Sequence, residues 1–248
     1  MGHHLAVYRQ TWRGMIISTF LSPLFFRLAL GVGLGSLVDE RSGGVGGTSY
    51  LHFVVPGILA YQAALTAFGE STYPVLGLFK WNRVYFAKIA TPLGVSDILL
   101  AHLLVIGGHV VVASSVFVGV AARFGSFSSW WVLAAIPVCV LTGWAFAAPV
   151  FALSASVETD NVVGVLDRFV LTPIRLVPGT YFPISQLPDW FEPVAWMTPL
   201  WHGVVLAREA ASGTAPGWGS LLHFAAIGAF MGVGWVLARR AFTRRLRS

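Results

Sequence analysis

Six apolar stretches, at about 15–38, 54–79, 97–120, 131–155, 162–182 and 219–238, approach the ~20 residues a helix needs to cross a ~30 Å hydrocarbon core. Six such runs in 248 residues leave more apolar surface than one water-soluble core can hide. Charged residues make up only 10 % of the chain, against roughly 25 % in an ordinary globular protein. The expectation is an all-α polytopic membrane protein, a single transmembrane domain over residues 1–248. The first run is too long for a signal-peptide core and no small-x-small cleavage site follows it, so it is kept as a span. The net charge of +6 does not point to nucleic acid, because the basic residues sit at the ends of apolar runs. A soluble DNA-binding protein, a secreted disulfide scaffold and a disordered tail are all excluded. Cys139, alone in the chain, has no disulfide partner and no metal-ligand spacing around it.

Orientation follows from the basic residues. With both termini cytoplasmic, the inner segments carry Arg9, Arg13, Lys80, Arg83, Lys88, Arg168, Arg239, Arg240, Arg244, Arg245 and Arg247, and the outer loops only Arg41, Arg123 and Arg208. Trp130, Trp131, Trp190, Trp196, Trp201 and Trp218 gather near the outer boundary and Trp12 and Trp81 near the inner one, where amphipathic rings sit at headgroup depth. The one long loop, 183–218, holds Pro183, Pro188, Pro193, Pro199 and Pro216 among aromatics and little charge. It predicts short helices lying on or dipping into the outer leaflet.

Catalytic chemistry is not legible. No G-x-x-x-x-G-K-[ST] run is present to cradle nucleotide phosphates. The Gly-Ser steps at 35–36, 125–126 and 219–220 lack the setting of a serine nucleophile, and acidic residues within spans are too few for a paired-aspartate site. His102 and His109, seven apart in span 3, share a helical face, but no further ligand completes a metal set, so they read as packing or hydrogen-bonding residues. No metal is expected.

Polar residues inside spans are the surprises. Arg27 and Arg175 start roughly 18–20 Å deep and Glu70 roughly 13 Å deep, counting 1.5 Å per residue. A charge at such depth needs a partner or water. One reading is a buried Arg–Glu lock between spans; the other is an Arg that lines a transport path and holds a phosphate or carboxylate. Pro173 and Pro178-Gly179 interrupt span 5, which therefore faces protein or a cavity, as a static kink or a hinge. Gly31–Gly35 and Gly228–Gly232 carry Gly-x-x-x-Gly spacing, read as packing within one subunit in preference to a dimer seam. Asp97 reads as a cap on span 3. The basic run 239–247 reads as a tail held by topology and anionic lipid. Between spans 2 and 3, Lys80, Arg83 and Lys88 alternate with Trp81, Tyr85, Phe86 and Ile89, the pattern of a helix half in the interface with its cations outward.

Several segments together resemble the membrane subunit of type-2 ABC exporters, in the branch that exports nodulation lipo-oligosaccharides and hydrophobic drugs. They are Leu28–Gly35, Val55-Pro56-Gly57, Phe68–Tyr73 with Glu70, Phe79-Lys80-Trp81-Asn82-Arg83, Ala90–Leu93 with Asp97, Phe182–Trp190, and Thr198-Pro199-Leu200-Trp201-His202-Gly203. The resemblance implies a transporter of two membrane subunits, the second the same or a similar chain, and two ATP-binding subunits. MgATP sits on the partner and no cofactor in this chain. It implies that segment 79–96 is a coupling helix, with Phe79, Lys80, Trp81, Arg83 and Lys88 meeting the ATPase. It also implies that Pro188, Trp190, Pro199 and His202 belong to outer-leaflet helices. The cargo would be a lipid, glycolipid or other amphiphile moved outward through the cytoplasmic membrane. Neither Arg27 nor Arg175 belongs to the family pattern. The alternative is a stand-alone secondary transporter or scaffold without an ATPase, which the intramembrane Arg27, Glu70 and Arg175 keep open.

Overall fold

A computed structural model describes residues 35–45, 47–123, 125–127, 129–157, 164–165, 168, 179–186, 188 and 191–247. Among these residues the chain is helical, with no strand beyond an isolated Val45–Thr48 bridge. Four stretches there are long and apolar enough to cross a membrane: Tyr50–Lys80, Val95–Arg123, Trp130–Ser156 and Trp218–Arg247. They fall on expected spans 2, 3, 4 and 6. Expected spans 1 and 5 lie almost wholly outside the described residues, and with them Arg27, Pro173, Arg175 and Pro178; Trp190 also lies outside.

Helix α1 (Ser36–Ser42) leads to α2 (Tyr50–Ser71). Asp39 ties the two together, its carboxylate accepting from the Tyr50 N–H at 2.8 Å and from Ser49 Oγ at 2.9 Å. It thereby satisfies one of the amides that a helix start leaves open. Expected span 2, about 54–79, falls within the Tyr50–Lys80 stretch, which is interrupted once. The chain breaks at Thr72 and resumes as α3 (Tyr73–Lys80). Pro74 explains this, because it lacks an N–H for the turn before it and disfavours helical backbone at its predecessor. Ser154 Oγ donates to the Ser71 carbonyl at 2.8 Å and Thr72 Oγ1 to that of Gly69 at 3.1 Å, so carbonyls around the bend stay satisfied away from water.

Next come α4 (Val84–Ile89), α5 (Val95–Arg123), a 3-10 turn at Trp130–Ala134 and α6 (Ala135–Ser156). Asp97 reaches back to the Gly94 N–H at 2.8 Å, closing the start of α5. After a 3-10 turn at Ile184–Gln186 follow α7 (Phe191–Trp196), α8 (Pro199–Ser212) and α9 (Trp218–Arg247). Thr198 and Pro199 set the start of α8, the threonine hydroxyl accepting from the Trp201 N–H at 3.4 Å. The basic run 239–247, expected as a tail, continues α9 as helix. At 30 residues this helix is about 45 Å long, longer than the hydrocarbon core alone requires.

Helix α6 lies at the centre, packed on α2, α5, α8 and α9. Small residues allow the approach, as expected where lipid gives no hydrophobic drive. A Cβ at Gly203 of α8 would collide with the Thr142 side chain, and one at Gly234 of α9 would lie 2.6 Å from Pro149 of α6. Gly228 and Gly232 were expected to serve such packing, yet among the described residues nothing lies within 4 Å of a Cβ placed there. Among the described residues, Gly234 carries the close contact of α9 with α6. Leu100, Leu104 and Val112 of α5, with Leu222, Val233 and Leu237 of α9, stay exposed, an apolar face suited to acyl chains.

Candidate functional site

At one end of the bundle the ends of α3, α5, α6 and α9 meet α4. The segment after span 2, expected as one surface helix, is instead the last turn of α3, a tight turn at 81–83, the short α4 and a further turn. The break lies at Arg83, whose backbone is left-handed (φ 46°, ψ 26°) without being glycine. Lys80, Trp81 and Arg83 are exposed, Lys88 is half-buried and Phe79 is buried. Trp81 is 61 % exposed, so the tip of the turn presents one indole and two cations outward.

Beneath the tip is a dense aromatic node that spacing along the chain did not reveal. The Tyr85 ring is fully buried, 4.5 Å from the ring of Phe79 and 5.4 Å from that of Phe242 in α9. Its hydroxyl lies 2.7 Å from His102 Nε2 in α5, and His102 stacks edgewise on Phe151 of α6 at 5.9 Å. Burial pushes the Tyr85 phenol up, so it stays protonated at neutral pH. Arg245 of α9 donates through Nη1 to the carbonyls of Ser154, Ala155 and Val157 at 2.9–3.1 Å, while its guanidinium lies 4.5 Å over the Phe79 ring. This closes the carbonyls at the end of α6 with a cation where the helix dipole favours one. The exposed turn is thus joined to α3, α5, α6 and α9 through one packed cluster.

In the span region, Glu70 meets His109, with Oε1 and Nδ1 3.2 Å apart. The expected partners of Glu70, Arg27 and Arg175, lie outside the described residues; the partner the structure gives is on span 3. Of the two histidines read as packing or hydrogen-bonding residues, His102 hydrogen-bonds to Tyr85 and His109 lies against the Glu70 carboxylate. Trp144 donates its indole N–H to the Leu103 carbonyl at 2.7 Å, pinning α6 to α5.

At the opposite end, α8 dips into the bundle with Leu200, Val204 and Ala207 buried. His202 donates through Nε2 to the Trp196 carbonyl at 3.0 Å, and its Nδ1 lies 2.8 Å from Nδ1 of His223 in α9. Because the first contact requires a proton on Nε2, His202 Nδ1 accepts and His223 donates. Trp201 stacks on Trp196 at 5.5 Å. Pro188 lies outside any helix before α7, and Pro199 opens α8. Arg208 was placed in an outer loop by its charge. The structure instead folds it inward onto the carbonyls of Phe53 (3.0 Å), Gly179 (2.6 Å) and Thr180 (3.3 Å), its guanidinium 3.6 Å over the Phe53 ring. Burial draws that guanidinium down to about 10, against a smaller upward push from Tyr50, so it remains a cation at neutral pH. Exposed Trp130, Trp131 and Trp218 ring this end of the bundle. Among the described residues no group of three His, Cys, Asp or Glu side chains is placed to hold a metal ion. The arrangement joins an exposed basic turn to the helices of the bundle.

The sequence profile of the ABC-2 type transporter family matches residues 4–211. The chain is 32 % identical over 252 residues to nodulation protein J of Sinorhizobium fredii, covering 98 % of this chain and 94 % of the relative. It is 34 % identical over 211 residues to nodulation protein J of Bradyrhizobium diazoefficiens (82 % and 79 %). It is 25 % identical over 190 residues to the inner membrane transport permease YadH of Escherichia coli K12 (74 % and 72 %).

Proposed function

Because this chain belongs to the ABC-2 type transporter family, as a multi-pass permease subunit of the cell membrane, we propose that it works as an ATP-driven exporter of a lipid, glycolipid or hydrophobic compound. Two copies of an ATP-binding subunit hold and hydrolyse MgATP, and a second permease, the same or a similar chain, completes the pathway. The chain forms one transmembrane domain over residues 1–248 with six spans and both termini cytoplasmic. That orientation puts the turn at 80–83 and the basic end of α9 on the side of the ATPase, and the tryptophan-rich end outside. The family and the name of the Escherichia coli relative support transport, and a lipo-oligosaccharide-like amphiphile is the cargo class the resemblance favours.

The observation that carries this reading is the turn itself. Lys80, Trp81 and Arg83 stand exposed on a base that Tyr85 fastens to α3, α5 and α9. Surface anchoring alone asks for no such linkage into the spans. In this reading Lys80, Trp81, Arg83 and Lys88 meet the ATPase, and Phe79 acts from beneath by seating the turn. The test is to tag the chain at native level, extract it in mild detergent, identify what accompanies it and measure ATP hydrolysis. A stoichiometric P-loop ATPase, with hydrolysis lost in the double variant Lys80→Glu, Arg83→Glu, supports the proposal. A folded chain without an ATPase, under conditions that preserve other transporter complexes, overturns it in favour of the stand-alone transporter.

A further inference from the structure

Two cavities adjoin at the tryptophan-rich end. One, of about 320 Å³, has Arg208, His52, Ser126, Glu209 and Ser212 in its wall beside apolar Phe53. Its neighbour, of about 230 Å³, is walled mainly by Trp131, Leu141, Leu206, Ala210, Pro216 and Phe224. They share Glu209 and Thr214. Arg208 is the cation of the larger cavity, and its bonding is unusual. Nε and Nη2 are held by three carbonyls and the ring face by Phe53, while Nη1 has no hydrogen-bond partner among the described residues. Carbonyl dipoles orient a guanidinium without cancelling its charge, so Arg208 brings a fixed cation to the cavity wall. Glu209 is engaged elsewhere, its Oε2 accepting from Ser220 of α9 at 2.6 Å, and His52 gives its Nε2–H to the Gly125 carbonyl at 3.3 Å.

We propose that the paired cavities bind one amphiphile, its phosphate or carboxylate on Nη1 of Arg208 and the start of its acyl chain in the apolar cavity. The clamp on Arg208 orients the donor before the ligand arrives, so little ordering cost falls on binding. The charge-assisted contact fixes the head, and Trp131, Leu141 and Phe224 offer the chain apolar walls beside α9. The proposal rests on the exporter reading for one point only, that this end faces outward and receives the amphiphile at outer-leaflet depth.

The test is native mass spectrometry of the detergent-purified full chain, titrated with phosphatidylglycerol, with glycerol phosphate as head alone, and with diacylglycerol of the same chains as tail alone. One tight equivalent of phosphatidylglycerol is expected, with both fragments at least tenfold weaker. Arg208→Gln reduces phosphatidylglycerol binding to the level of diacylglycerol. Ala210→Phe fills the apolar cavity and weakens binding at least fivefold with an unchanged unfolding midpoint, and it decides the matter alone if Arg208→Gln does not fold. A single equivalent indifferent to Ala210→Phe, or several equal equivalents, overturns the proposal. Glycerol phosphate binding as tightly as the lipid assigns the cavity to free phosphate and overturns the amphiphile. No ATPase is needed in this experiment, so its outcome is separate from that of the copurification.

Discussion

The hydroxyl of Tyr85, on a six-residue helix between two spans, lies 2.7 Å from Nε2 of His102 on the next span. It is the polar contact by which the exposed turn grips α5, while the Tyr85 ring grips Phe79 and Phe242 through packing. Tyr85→Phe keeps the ring and deletes the grip. Stability is expected to fall by about 1 kcal/mol, the usual net worth of such a bond. Hydrolysis stimulated by the permease is expected to fall further than ATPase copurification does. Measuring both on one preparation separates transmission from docking; equal hydrolysis in variant and wild type would sink the transmission role.

Arg83 combines an exposed cation with left-handed backbone, a conformation that disfavours every residue but glycine. Arg83→Gly relieves the backbone while deleting the charge. The unfolding midpoint is therefore expected to hold or rise, by up to about 1 kcal/mol in stability, as coupled hydrolysis declines. A variant less stable than wild type would show that the arginine is held by contacts rather than kept for its charge.

Arg245 closes three carbonyls at the end of α6 from a helix about 90 residues away. Arg245→Leu keeps apolar bulk over Phe79 but leaves those carbonyls without their donor, at a cost of about 2 kcal/mol. The effect is local, so hydrogen exchange should accelerate at residues 154–157 well before the rest of α6. Uniform exchange along α6 in the variant would refute the cap.

Gly234 and the Gly228–Gly232 pair of α9 make opposite predictions. Gly234→Val drives a branched side chain into Pro149 and Ala148 and is expected to cost about 2–3 kcal/mol by overpacking. Gly228→Ala and Gly232→Ala meet open space among the described residues and are expected to stay within about 0.5 kcal/mol of wild type. Thermal unfolding in detergent ranks the three.

Why some of this was legible and some was not follows from what each feature depends on. Spans 2, 3, 4 and 6 depend on hydropathy summed over about 20 residues, which no single side chain can mask, so each falls on a described apolar helical stretch, although α9 runs nine residues past the expected end of span 6. The start of α8 was readable as Thr198-Pro199, and the cap on α5 as Asp97, because capping is local. The bend at Thr72 had a signal that went unused, Pro74 within an apolar run. The inward turn of Arg208 has no local signal, because its three carbonyls come from residues about 29 and 155 positions away. The Tyr85 node has the same character. It joins α3, α4, α5 and α9, and which faces meet is decided by helix register and crossing rather than by local pattern.

His202 carries the pH prediction. Its Nδ1 accepts from His223 and its Nε2 donates to Trp196, so a proton on Nδ1 would remove the acceptor. Burial lowers its affinity for that proton first of all; the Trp196 carbonyl opposes this and His223 adds to it. A folded value below the ordinary histidine value of about 6.5 means that the unfolded chain takes up the proton more readily. Stability is then fully present above about pH 6.5 and is lost as pH falls from there toward the lowered folded value, levelling off below it. His202→Gln keeps a donor toward Trp196 without a titrating ring. Unfolding midpoints followed from pH 8 to pH 5 are expected to drop more steeply for wild type than for His202→Gln. Parallel profiles would show that His202 does not take up the proton that weakens the fold.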